Sequence, residues 1–198
     1  KGKFPNIHCV VLTPFSHGIT KRMQNEDLSI FDYVFCWLGN TNLILSIIKL
    51  IEDKMNLEHD IQEAGVQMIL LVEDSIRFYS SILPNLYNYI LEQSKNFSKE
   101  ALNRHAATMR MRGRPKVVLA RTYEEAKKLY DKYSDNTLGV ISDARFPLKS
   151  AAKAFGNVVD EDVQPKHATD TFGREKCPDA GLQLFRYIRK NDSFVPLI

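Results

Sequence analysis

Short apolar runs alternate with stretches of helical period along this chain. The runs are 9–12 (CVVL), 33–38 (YVFCWL), 66–72 (VQMILLV), 117–120 (VVLA), 138–141 (LGVI) and 195–198 (VPLI), and each reads as a strand. After Gly39-Asn40, residues Leu43, Ile44, Ile47, Ile48 and Ile51 recur at three- and four-residue steps and predict a helix, with Asn40 or Thr41 as its N-cap. From Ser75 to about Gln93, Ile76, Tyr79, Leu83, Leu86, Tyr87 and Ile90 share one helical face, and Pro84 predicts a kink. A polar helical stretch continues to Met111 and breaks at Arg112-Gly113-Arg114-Pro115. Residues 122–133 read as a capped helix, with Thr122 leading and Glu124 and Glu125 in the first turn. Residues 178–190 read as a last helix with Leu182, Phe185 and Ile188 facing inward. Between 149 and 177 the apolar period disappears, which predicts a long polar loop.

Strands that are apolar along their whole length are buried on both faces, the pattern of a parallel sheet. Alternation with helices implies right-handed βαβ units and a doubly wound α/β fold. The expected architecture is a mainly parallel five-stranded sheet of flavodoxin-like type. In such sheets ligands lie beyond the carboxyl ends of the strands, so polar residues there carry the candidate chemistry.

Composition narrows the classes. The chain has 198 residues, 44% of them apolar, enough for a buried core and for one domain or slightly more. Net charge is +3, too balanced to mark a binder of nucleic acid or of a membrane surface. The three cysteines show no CxxC and no metal-like spacing, which points to a reducing, cytoplasmic setting and not to a disulfide framework. No apolar run reaches the ~20 residues of a membrane span, and no signal peptide is visible. The start at Lys1-Gly2-Lys3 and the end inside an apolar run suggest a piece of a longer protein.

Two strand ends stand out. One reads Leu71-Val72-Glu73-Asp74-Ser75, the other Ile141-Ser142-Asp143-Ala144-Arg145. Parallel strands deliver both ends to one edge, so Glu73, Asp74 and Asp143 are expected to converge. Three carboxylates in one crevice repel and titrate upward unless a cation sits among them. A hard divalent ion with oxygen ligands, Mg²⁺ in a cell, suits that set. A carboxylate beside such an ion can act as a nucleophile toward a phosphoryl group. The plain alternative is that Glu73-Asp74 are helix N-terminal acids and Asp143 a turn residue.

These segments resemble a response-regulator receiver domain of two-component signalling. The matching stretches are MILLVEDS (68–75), LGVISDARFP (138–147) and DAGLQLFRYIRKNDSFVPLI (179–198), about two thirds of a receiver. The resemblance implies that Asp143 is the phosphoacceptor. It implies a Mg²⁺ site made by Glu73, Asp74, Asp143 and the backbone carbonyl of Arg145. It also implies a histidine kinase or phosphotransfer protein as donor and an attached output domain as the regulated partner. IHCVVLTPF (7–15) resembles a receiver's fourth strand, with Thr13 at the switch hydroxyl, and DYVFCWLGN (32–40) its fifth. Receivers place Lys-Pro at the end of that fifth strand, where this chain has Cys36-Trp37, so Cys36 marks a degenerate lysine position.

The domain reading is therefore 1–60 as the C-terminal half of a degenerate receiver-like unit, and 66–198 as a receiver-like unit lacking its last strand and helices. If the two form one composite domain, residues 1–60 dock onto strands 66–147 in circularly permuted order, sheet order 2-1-3-4-5, with Thr13 near Asp143. A fainter likeness is to the tandem regulatory front end of phosphoenolpyruvate synthase or pyruvate, phosphate dikinase-like proteins, which would make the fragment a regulator of a phosphotransferase and not itself an enzyme. A competing reading is an unphosphorylated pseudo-receiver, structural or dimerising. A Mg²⁺-dependent hydrolase is a weaker third, since no general acid accompanies the carboxylates.

Other features have simple packing explanations. The run Arg110, Arg112, Arg114, Lys116, Arg121 reads as a solvated helix end rather than a nucleic-acid surface. His8, Cys9, His17 and Cys36 could be drawn as a zinc site, but Cys9 and Cys36 lie in apolar strands and read as small hydrophobes. His105 reads as a surface residue rather than a phosphotransfer histidine. Phe35 and Trp37 read as core or as a cover over the crevice, and Tyr79, Tyr87 and Tyr89 as packing residues.

Overall fold

The computed structural model describes residues 7–14, 31–149 and 174–198. The chain is α/β with parallel strands. Its elements are β1 (Val10–Pro14), β2 (Tyr33–Trp37), α1 (Asn42–Ala64), β3 (Met68–Val72), α2 (Ile76–Lys99), α3 (Arg104–Arg112), β4 (Lys116–Ala120), α4 (Tyr123–Tyr133), β5 (Thr137–Ser142), β6 (Phe146–Pro147), β7 (Lys176–Cys177) and α5 (Ala180–Asn191). Most of the predicted polar loop, 150–173, lies outside the described residues, as does His17.

The central sheet runs β4-β3-β5, all parallel, with Val72 opposite Ala120 on one side and Ser142 on the other. Its apolar strands are buried from both sides, as their sequence requires. Met68, Leu70, Val72, Val118, Ala120 and Val140 pack with α4 and α5 side chains such as Tyr130, Leu184 and Ile188. Leu71, Val117 and Leu119 point the other way, into a second cluster with Leu43 and Leu50 of α1 and Tyr79, Leu83 and Tyr87 of α2. Each fully buried side chain of this size stabilises the fold by ~1.5–3 kcal/mol. Helices on both faces are compatible with the doubly wound expectation.

A single five-stranded sheet does not form among the described residues. β1 and β2 make a separate parallel pair, with Thr13 opposite Cys36. Helix α2 holds this pair. The Tyr79 hydroxyl donates to the Val34 carbonyl, and the Cys36 amide donates to the Ser80 hydroxyl at 2.9 Å. Helix side chains thus satisfy backbone groups of β2. The place beside β5 is taken by the C-terminal segment instead. Val140 and Pro196, Ile198 and Val140, and Ser142 and Ile198 are joined by backbone bonds of 2.9 Å. The permuted order that would set Thr13 beside Asp143 is therefore not the arrangement found: the strand that follows α5 occupies that edge.

Several local readings also change. In α1 the buried stripe is Leu43, Ser46, Leu50, Asp53 and Leu57, and Ile44 and Ile48 are exposed. Asn40, not Thr41, supplies the cap, its Oδ1 accepting from the Asn42 amide at 3.0 Å. α2 runs through Pro84 to Lys99 without interruption. In α5 Leu182 is exposed, and Ala180, Gly181, Leu184 and Ile188 face the core. Tyr89 and Trp37 are exposed, whereas Tyr79, Tyr87 and Phe35 are core. The Thr122 cap forms as expected, accepting from the Glu125 amide at 3.2 Å.

The basic run is the largest revision. Arg114 and Lys116 are only 5% exposed. Arg114 grips the fully buried Asp53 with two bonds of 2.6 and 3.1 Å, and Asp53 also accepts from the Val117 amide and the Tyr87 hydroxyl, each at 2.9 Å. Lys116 pairs with Asp60 at 2.6 Å. This network clamps α1 to the start of β4. No helix among the described residues is long and apolar enough to cross a membrane.

Candidate metal centre

The parallel ladder brings the two strand ends together. The Glu73 amide donates to the Ala120 carbonyl at 3.0 Å and the Asp143 amide to the Val72 carbonyl at 2.9 Å, so both acids leave the sheet at the same edge. Glu73, Asp74 and Asp143 each offer a carboxylate oxygen, and these oxygens lie within 4.8 Å of one another. This is the one group of its kind among the described residues, and it could hold a metal ion. Of the imagined zinc set, His17 lies outside the described residues, and His8, Cys9 and Cys36 form no such group. His8 and Cys9 instead meet Asp32.

The three acids sit in different surroundings. Asp74 is fully buried and Glu73 nearly so, while Asp143 is half-buried. Glu73 accepts from the Ser75 amide at 2.9 Å, a bond within the turn into α2. Burial pushes its carboxyl up to about 7, and the nearby charges of Asp143 and Asp74 push the same way, against the Ser75 amide and Lys176. Asp143 is fixed by its own turn, Oδ1 accepting from the Ala144 amide at 2.7 Å. The plain alternative, helix-capping acids and a turn residue, accounts for the Ser75 and Ala144 bonds. It does not account for the convergence of three carboxylates in a largely buried crevice.

Lys176 is the residue that sequence reasoning missed. It lies on β7, opposite Pro147 of β6, and its Nζ is 2.7 Å from Asp74 Oδ2. Its side chain is 19% exposed. The only trace in the sequence is a cation just ahead of a helix start, where acids are the usual choice. Gly181 of α5 is the second. Its amide donates to the Ala144 carbonyl at 3.1 Å, and a Cβ there would lie 2.3 Å from the Asp143 carbonyl oxygen. Only glycine lets the helix approach the acid-bearing turn so closely.

The remaining expected positions do not join the cluster of side-chain ligands. Arg145 is exposed on the turn after Asp143. Thr13 donates its hydroxyl to the Pro14 carbonyl at 3.2 Å. Cys36 is buried, and burial pushes its thiol up, so it stays neutral and supplies no positive charge. His105 is exposed on α3.

Comparison with known proteins gives no match: no family model fits the chain, and neither a curated protein nor a solved structure is significantly similar to it. The functional reading therefore rests on the residues alone.

Proposed function

We propose that this chain is a phosphoacceptor module of the receiver type, acting in two-component signal transduction. The observation that carries the reading is the meeting of Glu73, Asp74 and Asp143 at the carboxyl edge of a parallel sheet. The strand order supports it: β4-β3-β5 followed by segment 195–198 is the order 2-1-3-4 of a flavodoxin-like receiver. The donor set is all oxygen and mostly buried, which suits a hard divalent ion such as Mg²⁺. Glu73, Asp74 and Asp143 would hold it, together with the Arg145 carbonyl. When bound, Mg²⁺ supplies the positive charge that lets phosphoryl oxygens approach the carboxylates.

Asp143 is the nucleophile because it is the most accessible of the three. One of its oxygens bonds to phosphorus as the P–N bond of a donor phosphohistidine breaks. The departing imidazole takes a proton from solvent, and an acyl phosphate remains. The donor is a histidine kinase or phosphotransfer protein in the cytoplasm, and the phosphorylated surface acts on an attached output domain or a second copy of the chain. A regulatory role ahead of a phosphoenolpyruvate synthase-like enzyme is one such setting.

Beryllofluoride with Mg²⁺ tests this. Amide NMR spectra of the wild-type chain should shift around 73–75 and 143–145, and those of Asp143→Asn should not. Silence of the wild type at saturating Mg²⁺ favours a second reading, the pseudo-receiver. One observation favours that alternative: Lys176 already neutralises Asp74.

A further inference from the structure

The acidic crevice already contains a cation, and it belongs to the chain. Lys176 Nζ lies 2.7 Å from the fully buried Asp74, within the same cluster of carboxylates that could hold a metal. We propose that Lys176 is a tethered competitor for the divalent ion: it occupies Asp74 when the metal is absent and yields that carboxylate when the metal arrives. This rests on the metal-site reading above.

Three features carry the inference. The first is anchoring. β7 pairs antiparallel with β6, Cys177 opposite Phe146 and Lys176 opposite Pro147, so the lysine backbone is fixed against the residue four beyond Asp143. The second is charge. With all three acids ionised the crevice carries three negative charges; an ammonium offsets one of them and a divalent ion two, so the ion is the stronger counterion for the same carboxylates. The third is geometry. An ammonium 2.7 Å from Asp74 Oδ2 places a positive charge within a few ångströms of any ion on that carboxylate, and two cations so close repel. The pair is mostly out of solvent, so salt screens it weakly and its removal is felt in full by the metal. Among the described residues, the charged groups acting on Glu73 are Asp143, Asp74 and Lys176.

Lys176 acts through Asp74 and so is a positioning residue. Two measurements on the full chain test it. Titration calorimetry with Mg²⁺ alone should show about tenfold tighter binding in Lys176→Met than in wild type, and near-wild-type affinity in Lys176→Arg, which keeps the charge. In the wild-type chain itself, amine acylation of Lys176 read by peptide mass spectrometry should speed up when saturating Mg²⁺ is added. This second measurement needs no variant and holds if Lys176→Met folds poorly. Binding in wild type with equal or weaker binding in Lys176→Met, or labelling that Mg²⁺ leaves unchanged, overturns the competition while the metal site stands. Absence of Mg²⁺ binding in both wild type and Lys176→Met removes the metal site, and this inference with it.

Discussion

Replacing Gly181 with alanine probes how the helix α5 seats the acid-bearing turn. The new Cβ would lie 2.3 Å from the Asp143 carbonyl oxygen, 3.1 Å from Ala144 Cα and 3.3 Å from the Asp143 carbonyl carbon. Comfortable heavy-atom contacts begin near ~3.5 Å. All three obstacles are backbone, so no side chain can swing aside, and helix and turn must part by about 1 Å. Alanine gains at most ~1 kcal/mol of helix propensity over glycine. Against that stand ~1–3 kcal/mol of overpacking and ~1 kcal/mol for the stretched bond from the Gly181 amide to the Ala144 carbonyl. The net expectation is a loss of about 1–3 kcal/mol, read as a lower urea midpoint with unchanged slope. Because the turn carries Asp143, Mg²⁺ affinity should fall in the same variant. Gly139→Ala is the control: its Cβ meets the Pro196 carbonyl at 3.5 Å, an ordinary contact, and should change stability by less than about 1 kcal/mol. A Gly181→Ala chain as stable as wild type, with Mg²⁺ binding intact, would refute the close-approach reasoning.

Three further outcomes are expected. Asp53→Ala leaves the Arg114 guanidinium, the Val117 amide and the Tyr87 hydroxyl buried without their acceptor, and should cost about 3–5 kcal/mol in a denaturation experiment; a loss below ~1 kcal/mol would mean the clamp is not formed. Glu73 titrates near 7 in the fold against 4.5 ordinarily, so the folded state binds more protons between those values; metal-free stability should decline as pH rises from about 4.5 to about 7, by at most ~3 kcal/mol, and saturating Mg²⁺ should flatten the decline, whereas a metal-free stability that climbs over this range would contradict the raised value. Glu73→Gln with Asp74→Asn should abolish Mg²⁺ binding and leave the far-ultraviolet circular dichroism of the fold; collapse of that signal would mean the acids serve the fold and not the ion.

Much of the central sheet was legible because its signal is local. A run such as MILLV admits few environments other than a strand buried on both sides, and β3, β4 and β5 fall where such runs occur. The convergence of Glu73, Asp74 and Asp143 followed from parallel strands ending in acids, a consequence of topology alone. What stayed hidden depends on partners distant in sequence. The permuted order failed because segment 195–198 fills the place beside β5. Arg114 read as solvent-facing because a guanidinium shows no preference for its buried partner in sequence; the one hint was Asp53 on the apolar stripe of α1, where a charge needs a counterion. Lys176 reaches Asp74 across more than a hundred residues, and no periodicity marks such a contact.

The central claim is that Asp143, flanked by Glu73 and Asp74, accepts a phosphoryl group. Intact-mass spectrometry of the full chain after incubation with acetyl phosphate and Mg²⁺ tests it most directly. The account predicts the mass of one added phosphoryl group, borne by Asp143, absent without Mg²⁺ and absent in Asp143→Asn. An unmodified wild-type chain, or a phosphoryl group that persists in Asp143→Asn, would contradict it.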